Sequence, residues 1–211
     1  MKRRSLCLFA AALLSGALAG PAAAQSAFPA RPIRVVVPYA PGGATDIMAR
    51  TVAQRLGEIL GQTVIIENKP GANTAIGAEQ VAKSPADGYT LMFTNDATFV
   101  LNPALFTSLS YNMARDFVPV ATVAYLNLSL TVSASLPVNT FAELVAWTKA
   151  KSGTISYGSY GVGSQAHLMG EMYKKLSGTD IVHVPYKGSA PALADVIGGQ
   201  VQMIFDNIPG G

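Results

Sequence analysis

From Ile33 onward the chain alternates short β-branched runs with stretches of helical period, and that alternation restricts it to an α/β architecture. Ile33 to Val37 is a continuous apolar run between Pro32 and Pro38, the pattern of a parallel strand covered on both faces. After the turn at 39–43, Met48, Val52, Leu56 and Leu60 recur every four residues, Arg50, Gln54 and Glu58 fall on the other side, and Gly61 stands at the stop. The spacing predicts an amphipathic helix. A strand over 63–67, a loop at 68–73, a helix over 76–82 and a strand over 90–94 extend the series into a doubly wound layer.

A second series follows. Residues 118–124 and 128–132 are strand-like, the first expected to cross between two lobes. Thr140 and Glu143 form a capping box at the head of a helix reaching about Lys151, with Trp147 expected in the core. A strand at 155–157, a helix at 164–176, a strand at 181–184, a helix at 191–197 and a strand at 201–205 complete the pattern. The expected division is a first lobe over 25–121 and a second over 122–211, each incomplete.

The N-terminus is of another kind. Lys2, Arg3 and Arg4 precede an apolar run from Leu6 to Leu18, and Ala22 and Ala24 occupy the small positions of a cleavage site, so residues 1–24 are expected to be a signal peptide cut before Gln25. Gly16, Gly20 and Pro21 interrupt the run, which is shorter than the roughly 20 residues of a membrane span. Lys2 stands where Ser or Thr would favour twin-arginine export, so ordinary secretion is the better reading. Cleavage removes the single cysteine, Cys7, and with it any disulfide. It also removes three of fifteen basic residues and none of twelve acidic ones, so the mature chain has no formal net charge and no electrostatic reason to bind nucleic acid. With half of its residues apolar and 13% charged, the chain suits a well-buried globular protein.

Four strand-to-helix loops share a composition rich in Gly, Ser, Ala and Pro: 38–46 (PYAPGGATD), 68–77 (NKPGANTAIG), 158–167 (GSYGVGSQAH) and 185–193 (PYKGSAPAL). At the carboxyl ends of strands in an open α/β sheet, such loops let an anion approach helix N-termini closely. Each alone is an ordinary tight turn; together they predict a shared anion-binding cleft. The Rossmann fingerprint fails for want of a third glycine after Gly161 and Gly163, and no Walker loop exists. His167 and His183 lack metal-site spacing, and no serine lies in G-x-S-x-G. Ser164 reads as a helix N-cap, His183 as a hydrogen-bonded strand residue, His167 as a possible ligand contact, and Asp46 as a complement to its own helix start.

At these loops the chain resembles the periplasmic substrate-binding receptors of tripartite tricarboxylate transporters, the Bug receptors. The match starts with F-P-A-R-P-I-R-V-V-V-P-Y-A-P-G-G-A-T-D and continues through E-N-K-P-G-A-N, A-D-G-Y-T-L, R-D-F-V-P-V, H-V-P-Y-K-G-S-A-P-A-L, G-G-Q-V-Q and F-D-N. The resemblance implies a two-lobed periplasmic-binding-protein (Venus-flytrap) fold that holds a small carboxylate, without cofactor or metal, for membrane permease subunits. It implies first-lobe contacts from Pro41, Gly42, Gly43, Ala44, Thr45 and Asp46 and from Gly71 and Asn73, largely through backbone amides and water. Second-lobe contacts are implied at Ser159, Gly163, Ser164 and His167, and at Tyr186, Lys187 and Asp206. Members of the family run on for roughly another hundred residues, so the C-terminal part is expected to be missing here.

The expected function is therefore a non-enzymatic periplasmic receptor. A secreted α/β hydrolase and a ligand-dependent partner of a membrane sensor are the other classes considered. A hydrolase would need a nucleophile and base within hydrogen-bond reach.

Overall fold

The computed structural model describes residues 28–207; the expected signal peptide and cleavage site lie outside the described residues. Strand β1 (Ile33–Val37) is the centre of a three-stranded parallel sheet of order β2-β1-β3, with β2 at Val64–Asn68 and β3 at Thr90–Met92. Val35 pairs with Ile66 on one side and Leu91 on the other, so the apolar run between the two prolines is enclosed: Val36 and Val37 are fully buried. Helix α1 (Ala44–Leu60) crosses from β1 to β2 and ends at Gly61, whose left-handed backbone (φ 64°) suits glycine. Its deepest face is Ala49 and Ala53, while Met48, Val52, Leu56 and Leu60 are half-buried. Small side chains let the helix lie close to the sheet, and the larger ones flank that contact. Helix α2 (Ala75–Ala82) joins β2 to β3.

After β3 come a π-helical turn (Ala97–Leu101), the short helices α3 (Asn102–Leu105) and α4 (Met113–Asp116), and an extended stretch to Asn127. The strand expected at 118–124 is absent. Val118 and Val120 are 87% and 84% exposed, and the stretch belongs to neither sheet. β-branched residues favour extended backbone, but a strand also needs a neighbour to share hydrogen bonds.

The second sheet has the order β4-β7-β5-β6, formed by Leu128–Val132, Met203–Asn207, Ser156–Ser159 and Val182–Pro185. β4 runs antiparallel to β7, and the other pairs are parallel. The connecting helices are α5 (Phe141–Ala150), α6 (Gln165–Ser177) and α7 (Ser189–Ile197). The capping box of α5 forms as expected: Glu143 N–H donates to Thr140 Oγ1 at 3.2 Å, and Thr140 N–H to Glu143 Oε2 at 3.2 Å. Trp147 is half-buried against the core with Lys151 over its ring. Tyr157 and Met203 are fully buried in a core that extends to Val37, Tyr39 and Ala49 beside the first sheet. No helix among the described residues is long and apolar enough to cross a membrane.

Candidate functional site

The four small-residue loops meet in two pairs. Loop 38–46 touches loop 185–193, where Ala40 N–H donates to Lys187 O at 3.1 Å. A Cβ on Gly188 would lie 2.8 Å from Ala40 Cβ, and one on Gly43 would lie 2.7 Å from Ser189 Oγ. Loop 68–77 touches loop 158–167, where a Cβ on Gly161 or Gly163 would meet the Asn73 amide at 3.5 or 3.2 Å. The glycines therefore permit close approach between the two halves of the chain.

Two clefts open along this seam. The smaller, about 10 Å³, is lined by Tyr39, Gly43, Ala44, Thr45, Asn95, Tyr160, Ser189, Asp206 and Asn207. The larger, about 430 Å³, is lined by 71–75, Phe106, Ser108, Leu109, Tyr160, Gly161, Val162, Tyr186 and Lys187, together with Pro38. Tyr160 is common to both. It packs edge-on against Tyr39 at 6.1 Å, and Tyr39 donates from its hydroxyl to Asn95 Oδ1 at 2.6 Å. Burial and the neighbouring Tyr160 hold the Tyr39 phenol far above its ordinary pKa, and burial does the same to Tyr160. Tyr160 Oη lies near Ala166 N–H and the Asn207 amide but makes no normal hydrogen bond.

Of the residues expected to hold a ligand, Gly43, Ala44, Thr45 and Asp206 line the small cleft, and Gly71, Asn73, Tyr186 and Lys187 line the large one. The others line neither cleft, and several are tied into the loops by hydrogen bonds. Pro41 and Gly42 are exposed, and Gly42 N–H is directed to Asp46 Oδ2 at 2.9 Å. Asp46 is a buried tie: it also accepts from Arg50 Nε at 2.9 Å and from Asn68 Nδ2 at 2.9 Å, joining α1 to the end of β2. Burial opposes its ionisation, but these donors outweigh burial and hold its pKa below the ordinary value. Ser164 is the N-cap of α6, accepting from His167 N–H at 3.3 Å and donating to Gly161 O at 2.6 Å. Gly163 N–H donates to His167 Nδ1 at 3.1 Å, so that donor is used within the loop.

Ser159 and His183 form a Ser–His pair that sequence spacing did not reveal, with Oγ 2.6 Å from Nε2. Ser159 is completely buried, Gly161 N–H also donates to its oxygen at 3.2 Å, and it lines neither cleft. The His183 ring stacks between Tyr157 at 5.0 Å and His167 at 4.2 Å. Burial, reinforced by His167, lowers its pKa to about 4, so it is neutral at pH 7. The pair has a base but no access for a substrate, which makes it structural. No group of three or more His, Cys, Asp or Glu among the described residues could hold a metal ion.

The wall of the large cleft depends on residues with no sequence signal. Ala72, Asn73 and Thr74 have φ of 46°, 45° and 76°, three consecutive non-glycine residues in left-handed conformation. Such a run is strained and needs outside support. Asn102, completely buried, gives it: its Nδ2 lies 2.6 Å from Asn73 O and 3.2 Å from Thr74 Oγ1, while its Oδ1 accepts from Asn73 Nδ2 at 2.7 Å. Tyr111 donates to Thr98 O at 2.8 Å, and Thr98 Oγ1 lies 2.8 Å from Thr74 Oγ1. Thr98, Asn102 and Tyr111 bind nothing in either cleft; they hold the turn that does the lining.

Two small α/β sheets meeting at glycine-rich strand-to-helix loops, with clefts along the seam, define the periplasmic-binding-protein class. Residues 48–210 match the family described as the tripartite tricarboxylate transporter family receptor, TctC, and the chain belongs to that family. It is 38% identical over 207 residues to Protein BugT of Bordetella pertussis, covering 98% of this chain and 63% of that protein. A solved R. palustris protein with adipate superposes with a TM-score of 0.83 at 40% identity, covering 86% of this chain and 61% of that one. MatC from Rhodopseudomonas palustris with bound malate superposes with a TM-score of 0.79 at 32% identity, covering 85% and 61%. The chain thus spans about three fifths of the length of these relatives.

Proposed function

We propose that this chain is the ligand-capturing portion of a periplasmic receptor that collects a small organic carboxylate and presents it to the membrane permease subunits of a tripartite tricarboxylate-type transporter. The observation that carries the reading is the small cleft, where Gly43, Ala44 and Thr45 bring the head of α1 against Tyr160 and Asp206 from the other sheet. α1 starts at Gly43 without a side-chain cap, so the partial positive charge and unpaired N–H groups of its first turn face the cleft. The adipate and malate of the two solved relatives agree with a carboxylate ligand.

In this reading the chain is exported with cleavage after Ala24 and works as two lobes, 25–121 and 122–211. The ligand touches the cleft-lining subset of the expected residues: Gly43, Ala44, Thr45 and Asp206, with Gly71, Asn73, Tyr186 and Lys187 at the larger opening. The receptor performs no chemistry on its ligand, and the burial of Ser159 weighs against the hydrolase alternative. Calorimetric titration with a panel of di- and tricarboxylates tests the reading: saturable binding of at least one, recovered chemically unchanged, is expected. Absence of binding across the panel would sink it.

A further inference from the structure

Asp206 stands on the inner strand β7, is 5% exposed and lines the small cleft. Its Oδ1 accepts from Asn207 N–H at 2.8 Å, and no ion pair to it forms among the described residues. The groups around it supply no cation. Tyr39 and Tyr160, from the loops after β1 and β5, line the same cleft, and Asp96, in the turn after β3, adds negative charge acting on both phenols. The flanking β4 places Ser129 opposite Asp206, β5 contributes Tyr157, and Tyr173 of α6 lies against the adjacent Phe205. His167 and His183 are occupied with each other, Ser159 and Gly163. Burial pushes the Asp206 carboxyl up to about 6, so on its own it is mainly ionised at pH 7.

We propose that Asp206 takes up a proton when an anionic oxygen of the ligand enters the small cleft, so that capture of a carboxylate by this receptor is proton-coupled. The proposal rests on the functional reading above. Asp206 is 5% exposed, with one backbone donor and no cation beside it, so little water reaches it to screen a second anion. A ligand carboxylate at the head of α1 therefore meets Asp206 as a like charge across a dehydrated gap, and one of the two must be neutralised. The proton comes from solvent and goes to an Asp206 oxygen, where it makes the carboxyl a hydrogen-bond donor to the ligand.

The test is calorimetry of the full chain with succinate and adipate, from pH 5 to pH 8, in buffers of different ionisation heat. Uptake approaching one proton per ligand at pH 7 to 8 is expected, with affinity falling by up to about tenfold per pH unit above 7. Asp206→Asn, with Asp206→Ser as a second neutral variant, should bind without uptake and with flat pH dependence. Wild-type binding without proton uptake overturns the proposal alone, and so does undiminished uptake in either neutral variant. Failure of wild type and variants alike to bind any member of the di- and tricarboxylate panel at any pH overturns the functional reading, and this inference with it.

Discussion

Gly170 of α6 passes so close to Tyr157 of β5 that a Cβ on the glycine would lie 2.0 Å from Tyr157 Cε2. The ring is fully buried, its hydroxyl donates to Glu171 Oε1 at 2.8 Å, and His183 stacks against it. Nothing soft can yield there. In an open helix Gly→Ala would stabilise by up to about 1 kcal/mol, but here overpacking wins. Gly170→Ala should destabilise the chain by about 1 to 3 kcal/mol, read as a lowered denaturant midpoint at unchanged slope. A raised midpoint would show that the helix moves away without cost.

Asn102→Ala should be costly although Asn102 touches no ligand. It strips hydrogen bonds from Asn73 and Thr74 and leaves buried polar atoms unpaired, for a loss of about 2 to 4 kcal/mol in thermal or chemical unfolding. Because the same bonds support the left-handed turn over 72–74, ligand affinity should fall too. Unchanged affinity in the folded variant would disconnect that turn from binding.

Asp206→Asn should stabilise the protein, and only above a certain pH. The folded-state pKa is raised from the ordinary 3.8 to about 6, so the native chain binds more protons than the unfolded one between those values and loses stability as pH rises through them. The variant should gain on the order of 2 to 3 kcal/mol at pH 7 and almost nothing at pH 4. His183, whose pKa is lowered, has the opposite trend, because wild-type stability drains away as pH falls below its unfolded value. The difference between variant and wild type at each pH isolates Asp206. A gain equal at pH 4 and pH 7 would refute the assignment.

Lys69 and Gly188 separate ion pairing from loop contact as the source of affinity. Lys69 Nζ is 2.9 Å from Glu67 Oε1 and lines neither cleft, so Lys69→Ala should leave ligand binding within about threefold. Gly188→Ala puts a methyl against Ala40 Cβ at 2.8 Å and Ala40 N at 3.1 Å, where the Ala40–Lys187 hydrogen bond joins the loops. It should weaken binding by about tenfold or more, equivalent to about 1.4 kcal/mol. Calorimetry giving the reverse order would mean that recognition is by side-chain charge.

Gly43→Pro tests the backbone account of the carboxylate. Proline removes the N–H at the head of α1 and fills the space beside Ser189, and binding should weaken by about 1 to 3 kcal/mol. Thermal melting without ligand provides the control: Gly43 φ of −81° suits proline, but the added Cβ would lie 2.7 Å from Ser189 Oγ, so any loss of fold must be subtracted from the loss of binding. Intact affinity would place the carboxylate elsewhere.

What the sequence alone determined was local in origin. The β-branched run of β1, the Gly61 stop, the Thr140–Glu143 box and the Ser164 cap each depend on residues within a turn or strand of one another, so their elements stand within a few residues of expectation. The four glycine-rich loops were legible for the same reason. Which loops touch was decided only by tertiary structure, because Ala40 meets Lys187, and Asn73 meets Gly161, across long separations that no periodicity records. The same holds for Asn102 supporting Asn73 and Thr74, for Ser159 beside His183, and for a buried Asp206 without a cation. It holds in reverse for 118–124, where extended-favouring residues found no partner strand. Conformational preference belongs to a residue and its neighbours in the chain, whereas burial, hydrogen-bond partners and charge environment belong to what the fold brings alongside.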